Sequence, residues 1–99
     1  MTRSKVLIVD DSAFARKVLR EVLSASPRIE VVGLARDGLE ALEQIELLRP
    51  DVVTLDLMMP NLDGVGLLEA LLPLERRPQV VVVSISDGNS TLGIEALHR

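Results

Sequence analysis

The 99-residue sequence contains no cysteine, no tryptophan and no tyrosine, and only one phenylalanine, Phe14. Without cysteine there is no disulfide framework, no thiolate metal site and no cysteine nucleophile, which suits a reducing compartment; the cytoplasm is the expected location. With one aromatic residue the core must be aliphatic, built from eighteen Leu and thirteen Val, and no aromatic platform exists on which bases would stack. A surplus of positive charge is missing as well. Eleven Lys and Arg against fifteen Asp and Glu leave a net charge of -4, so binding to a phosphate backbone has no basic field behind it, and nucleic acid is not an expected partner. Long apolar runs are also absent. The stretch after Lys5 extends only from Val6 to Val9 before it meets Asp10 and Asp11, far short of a signal-peptide core or a membrane span, so no membrane partner is expected.

What is present is the balance of a folded globular chain, 47% hydrophobic and 26% charged, in a length that suits one domain over residues 1–99 and leaves too little for two cores. Four short runs rich in β-branched residues recur: Lys5 to Val9, Glu30 to Leu34, Val52 to Leu55 and Gln79 to Val83. Between them lie stretches of helical periodicity. Ala15, Val18, Leu19, Val22 and Leu23 repeat at i, i+3, i+4, i+7, i+8, and so do Gly64, Leu67, Leu68, Leu71 and Leu72. The intervening segment opens with Asp37 and Glu40 at capping-box spacing, turns Ala41, Leu42, Ile45 and Leu48 inward and stops before Pro50. Strand followed by helix at this period predicts an α/β fold, with parallel strands and helices on both faces of the sheet. The unbroken valines from Val80 to Val83 agree, because a strand buried on both sides has no polar face to show.

The chemically informative residues stand at strand ends. Asp10 and Asp11 follow the first run, Asp56 follows the third, and Ser84 follows the fourth. In open α/β sheets ligands bind at that carboxyl edge, where consecutive strands leave in opposite directions. With the first strand between the second and third, Asp10 and Asp11 would face Asp56 across strands about 4.8 Å apart. Three converging carboxylates repel unless a cation holds them, and an all-oxygen site suits Mg²⁺. Asp56, standing alone, fits the role of a nucleophile that accepts a phosphoryl group as an acyl phosphate, while the Asp10–Asp11 pair fits the metal cradle. Ser84 would donate to a phosphoryl oxygen. Met58 would offer its backbone carbonyl rather than its sulfur to a hard cation. His98, with no acidic or hydroxyl partner in sequence reach, reads as a surface residue.

The VDDSAFAR segment at 9–16, the LDLMMPNLDG segment at 55–64 and the VVVVS segment at 80–84 together resemble the response-regulator receiver domain, and the likeness extends over the whole chain. The spacing of Asp56, Pro60, Asp63 and Gly64 carries most of its specificity, with Pro60 and Gly64 shaping the loop beside the acid. The resemblance implies a flavodoxin-like, doubly wound parallel sheet in the order 2-1-3-4-5. It also implies phosphorylation of Asp56 by a sensor histidine kinase of the chemotaxis kind, and Mg²⁺ held by Asp11, Asp56, the Met58 carbonyl and, through water, Asp10. Ser84 matches the switch hydroxyl that follows the phosphate. The stretch from Asp11 to Leu42 is similar to the amino-terminal regulatory domains of chemotaxis protein-glutamate methylesterases, in which the receiver occludes an esterase domain until phosphorylated; that esterase domain, or another protein effector, is the implied partner.

Two departures from the family pattern stand out. The family lysine at the end of a fifth strand has no counterpart before Arg99, and bulky Ile85 follows Ser84 where a small residue is usual. The domain is therefore expected to be truncated before its fifth strand. That truncation would leave Gln79 to Val83 as an open apolar edge, so either the sequence is part of a longer chain or two copies pair or swap elements across that edge. Two competing functions remain on the residues alone. A magnesium-dependent phosphatase of the haloacid-dehalogenase kind also uses an aspartyl phosphate, although its D-x-D acids differ from the adjacent Asp10 and Asp11. A degenerate receiver serving only protein contacts would be consistent with the absent lysine and with Ile85.

Overall fold

Four consecutive apolar residues, Val6 to Val9, are buried almost completely, as befits a strand in the middle of a sheet. In the computed structural model, which describes residues 3–56, 64–71, 73, 77–85 and 92–97, they belong to β1 (Ser4–Val9). There follow α1 (Ala13–Ser24), β2 (Ile29–Ala35), α2 (Gly38–Leu48), β3 (Val52–Leu55), α3 (Gly64–Leu71), β4 (Gln79–Ile85) and β5 (Leu92–Leu97). The sheet order is β2-β1-β3-β4-β5, and the first four strands run parallel, as the βα period predicts.

Alternation along the strands divides the core in two. Leu7, Val9, Val53, Leu55 and Val80 pack with α2 and α3 on one face, while Val6, Ile8 and Val83 pack with Leu19 of α1 on the other. Phe14 takes no part in either cluster and is 72% exposed, so both layers are wholly aliphatic.

Strand β2 carries an irregularity that changes which of its residues face each side. Val6 pairs with Val31 but Leu7 with Gly33, so Val32 is passed over in the register. Before that point Ile29 and Val31 face α1; after it Leu34 faces α1 and Ala35 faces α2. The extra residue reverses the parity of the strand. At Gly33 the backbone then lies against α2, where a Cβ would collide with Gln44 Oε1 and come within 2.9 Å of Leu48 Cδ1. Gln44 is not free to retreat, because its Nε2 donates to the Leu34 carbonyl at 2.7 Å.

The helix ends follow the expected chemistry, with one addition. The Asp37 carboxylate accepts the Glu40 N–H at 2.8 Å, and Glu40 Oε1 reaches back past this N-cap to accept the Arg36 N–H at 3.0 Å, a variant of the capping box that starts α2. At its other end Arg49 adopts φ 48°, ψ 60° while its N–H still reaches the Ile45 carbonyl. The following Pro50 disfavours a right-handed conformation there, so the chain leaves the helix through the left-handed region despite the side chain.

The predicted open edge at β4 is corrected by the structure. Leu92–Leu97 returns as β5 and pairs antiparallel with β4, from Ile85↔Leu92 to Val80↔Leu97. The six residues from 86 to 91 are too few for a parallel crossover but enough for an antiparallel return. Pairing of two copies through an exposed β4 edge accordingly has no basis. Strand β4 also runs two residues further than predicted, so Ser84 lies within it, its backbone opposite Gly93, rather than just beyond its end.

Gly33→Ala is expected to destabilise the domain by about 1–3 kcal/mol through overpacking against α2, read as a lower midpoint in urea unfolding at unchanged slope.

Candidate functional site

Strand alternation places the acids. Asp10 continues the parity of Val6 and Ile8, and Asp56 that of Val52 and Thr54, on neighbouring parallel strands whose last paired residues are Val9 and Leu55. The pairing carries on one step further, with the Asp56 N–H donating to the Val9 carbonyl at 3.1 Å and the Asp10 N–H to the Ala35 carbonyl at 2.9 Å. Both carboxylates therefore leave the same sheet edge on the same side. Asp11, on the turn into α1, joins them: one oxygen from each of Asp10, Asp11 and Asp56 lies within 4.8 Å of the others. Asp10 is buried, Asp56 half-buried and Asp11 exposed, so the cluster forms a pocket open on one side.

The corner between β1 and α1 is closely held. Asp10 Oδ1 accepts the Ser12 N–H at 2.9 Å, and Ser12 Oγ accepts the Ala15 N–H at 3.2 Å. Ser12 is thus the N-cap of α1, which leaves Asp11 for the cluster rather than for capping. Burial pushes the Asp10 carboxyl above the ordinary aspartate value of 3.8; the Ser12 N–H opposes the rise, Asp56 and Asp11 add to it, and Arg16 opposes it. Such a group costs the fold free energy when ionised, and a divalent cation would remove that cost.

Of the other residues singled out from the sequence, Gly64 opens α3, and Ser84 is placed by its backbone in β4 while its hydroxyl is not described. Met58 and Pro60 lie outside the described residues. One neighbour of the acids escaped sequence reasoning: Arg16 Nη1 donates to the Asp10 carbonyl at 2.7 Å. A cation close to a helix N-terminus runs against the helix dipole, and that local conflict is the signal that would have found it.

Comparisons with known proteins agree with this fold. Residues 6–99 match the response regulator receiver domain family. A protein-glutamate methylesterase/protein-glutamine glutaminase of Myxococcus xanthus is 60% identical over 94 residues, which are 95% of this chain and 27% of that protein. The crystal structure of the response regulator domain of Thermotoga maritima CheB superposes with a TM-score of 0.78 at 42% identity, covering 89% of this chain and 66% of that one. A Borrelia burgdorferi CheX-CheY-BeF3-Mg+2 complex gives 0.73 at 31% identity, covering 82% and 61%. The chain spans about a quarter of the length of the curated relatives, 27% for the M. xanthus protein. Among the described residues no helix is long and apolar enough to cross a membrane.

The raised Asp10 pKa fixes the sign of a pH effect. A carboxyl with a higher pKa folded than unfolded destabilises the fold once ionised, and that penalty disappears as pH falls through the raised value. In chelator, Asp10→Asn, which removes the ionised form, should therefore raise the melting temperature at neutral pH. The gap from wild type should narrow as pH is lowered, in thermal melts followed by circular dichroism.

Proposed function

The chain belongs to the response regulator receiver family, and on that premise we propose that Asp56 accepts a phosphoryl group from a sensor histidine kinase, in the presence of Mg²⁺, and thereby switches an attached or separate effector. The observation that carries the reading is the convergence of the Asp10, Asp11 and Asp56 oxygens within 4.8 Å at the ends of β1 and β3. Three oxygen donors with a water-accessible side fit Mg²⁺, which keeps several waters and takes few protein ligands. Asp10, Asp11 and Asp56 would hold it, with the Met58 carbonyl as a further oxygen. Bound there, the ion supplies charge neutralisation for the incoming phosphoryl oxygens.

The chain's own residues then have distinct tasks. An Asp56 oxygen attacks phosphorus, a P–O bond forms as the P–N bond of the donor histidine breaks, and the imidazole departs with the electron pair. Asp10, pinned by the Ser12 N–H, keeps the pocket's shape while charge moves. The Ser84 hydroxyl, from β4 next to β3, donates to a phosphoryl oxygen, and that contact biases the segment around β4 between two arrangements. Pro60 and Gly64 support the loop between Asp56 and α3.

The regulated effector is proposed to be a chemotaxis methylesterase domain, on the strength of the 60% identity to the M. xanthus protein, with the chain acting in the cytoplasm. Residues 1–99 would be its receiver portion, and any esterase activity would belong to the remainder of such a protein. The phosphatase alternative is disfavoured by the adjacency of Asp10 and Asp11 and by the family match over residues 6–99.

Incubating the full-length protein with acetyl phosphate and Mg²⁺ should add the mass of one phosphoryl group, labile to hydroxylamine and lost with Asp56→Asn or with chelator. No mass gain in the folded wild-type protein would refute the phosphoacceptor role and favour a receiver used for contacts alone.

A further inference from the structure

We infer that Arg16 is a positioning residue for the acid pocket: by clamping the Asp10 main-chain carbonyl, its guanidinium fixes the corner from which the Asp10 and Asp11 carboxylates reach toward Asp56. The inference deepens the cation-site reading given above and rests on it for its consequence in metal binding.

The Asp10 carbonyl lies just past the last paired residues of both neighbouring ladders, Val9↔Ala35 and Val9↔Leu55. A main-chain acceptor at that depth needs a donor, because leaving it desolvated and unpaired is costly. Arg16 provides one at 2.7 Å, and the bond is charge-assisted.

The same residue is tied to the corner a second time. Its backbone N–H donates to the Ser12 carbonyl at 3.0 Å, and the Ser12 N–H donates to Asp10 Oδ1 at 2.9 Å. Asp10, Ser12 and Arg16 thus form a closed ring of three hydrogen bonds. With the Asp10 N–H held by the Ala35 carbonyl, the residue is fixed through its amide, its carbonyl and one carboxylate oxygen.

The half-buried guanidinium also places a positive charge beside Asp10, where it counters the upward pull on that carboxyl. This accounts for an arginine at a position near the α1 N-terminus where the helix dipole disfavours it. A neutral donor could hold the carbonyl but would leave the local charge unrelieved.

The test compares full-length wild type with Arg16→Met, which keeps the apolar stem and removes the donors, Arg16→Lys, which restores a charged donor, and Arg20→Ala as a control on the exposed side of α1. Two quantities are read: the Mg²⁺ dissociation constant by calorimetry, and amide hydrogen exchange without metal at Ser12 against the core amide of Leu7. Arg16→Met should weaken Mg²⁺ about 10-fold, the lower end of the range for lost outer-shell support. It should also speed exchange at Ser12 while leaving Leu7 unchanged. Arg16→Lys should recover most of both effects, and Arg20→Ala should match wild type. Unchanged Mg²⁺ affinity together with equal acceleration of Ser12 and Leu7, or none, would overturn the clamp and indicate a general packing role. A wild-type protein that binds no Mg²⁺ would overturn the cation-site reading instead, and the metal-free exchange at Ser12 would still decide the clamp.

Discussion

Two carboxylates are driven together in this protein by strand pairing, a third joins them from the adjoining turn, and the site follows from that forced proximity. The β1–β3 ladder runs up to Val9 and Leu55, both buried, and the next residue on each strand is an aspartate. Burying side chains of that size contributes about 1.5–3 kcal/mol each, whereas two carboxylates about 4 Å apart repel by about 1–4 kcal/mol over the range from bulk water to a protein surface. The sheet therefore holds the acids together against their repulsion, and a divalent cation would relieve it. Asp10 is the buried member, and its proton is held more tightly than usual, first because of that burial and then because of its acidic neighbours.

The remaining architecture keeps this edge in place. Two aliphatic layers grip the sheet from opposite sides, with α1 on one and α2 and α3 on the other. The parity reversal at Val32 turns Leu34 toward α1 and Ala35 toward α2, and the glycine between them and Val32 allows α2 to approach the backbone. A rigid sheet with its acids on a solvent-accessible edge is suited to a switch: the pocket is preformed, and a phosphoryl group arriving there changes local charge without rebuilding the core.

Much of this was legible in the sequence because it depends on short-range periodicity. Apolar runs of β-branched residues marked β1 to β4, and the position of the acids directly after two of those runs predicted their meeting. The Asp37–Glu40 spacing announced the start of α2. Other features depend on contacts that periodicity does not encode. The passed-over residue in β2 is visible only once β1 supplies a register. The return of residues 92–97 along β4 was missed because the family resemblance put the fifth strand beyond Arg99, so no strand was expected before it, while the short connection permits the antiparallel return. Ser84 was placed just beyond β4 because the valine run stops at Val83, yet pairing with Gly93 carries the strand through it. Arg16 was passed over because a cation on an amphipathic helix ordinarily faces water, and only the fold reveals the carbonyl it serves.

The central claim, that these three acids form one divalent-cation site, is tested most directly with Mn²⁺ as a paramagnetic stand-in for Mg²⁺ in amide NMR spectra. Line broadening should centre on residues 10–12 and 56, saturate at one ion per chain and reverse on adding Mg²⁺. Broadening spread over the surface acids, or centred away from the ends of β1 and β3, would contradict the account.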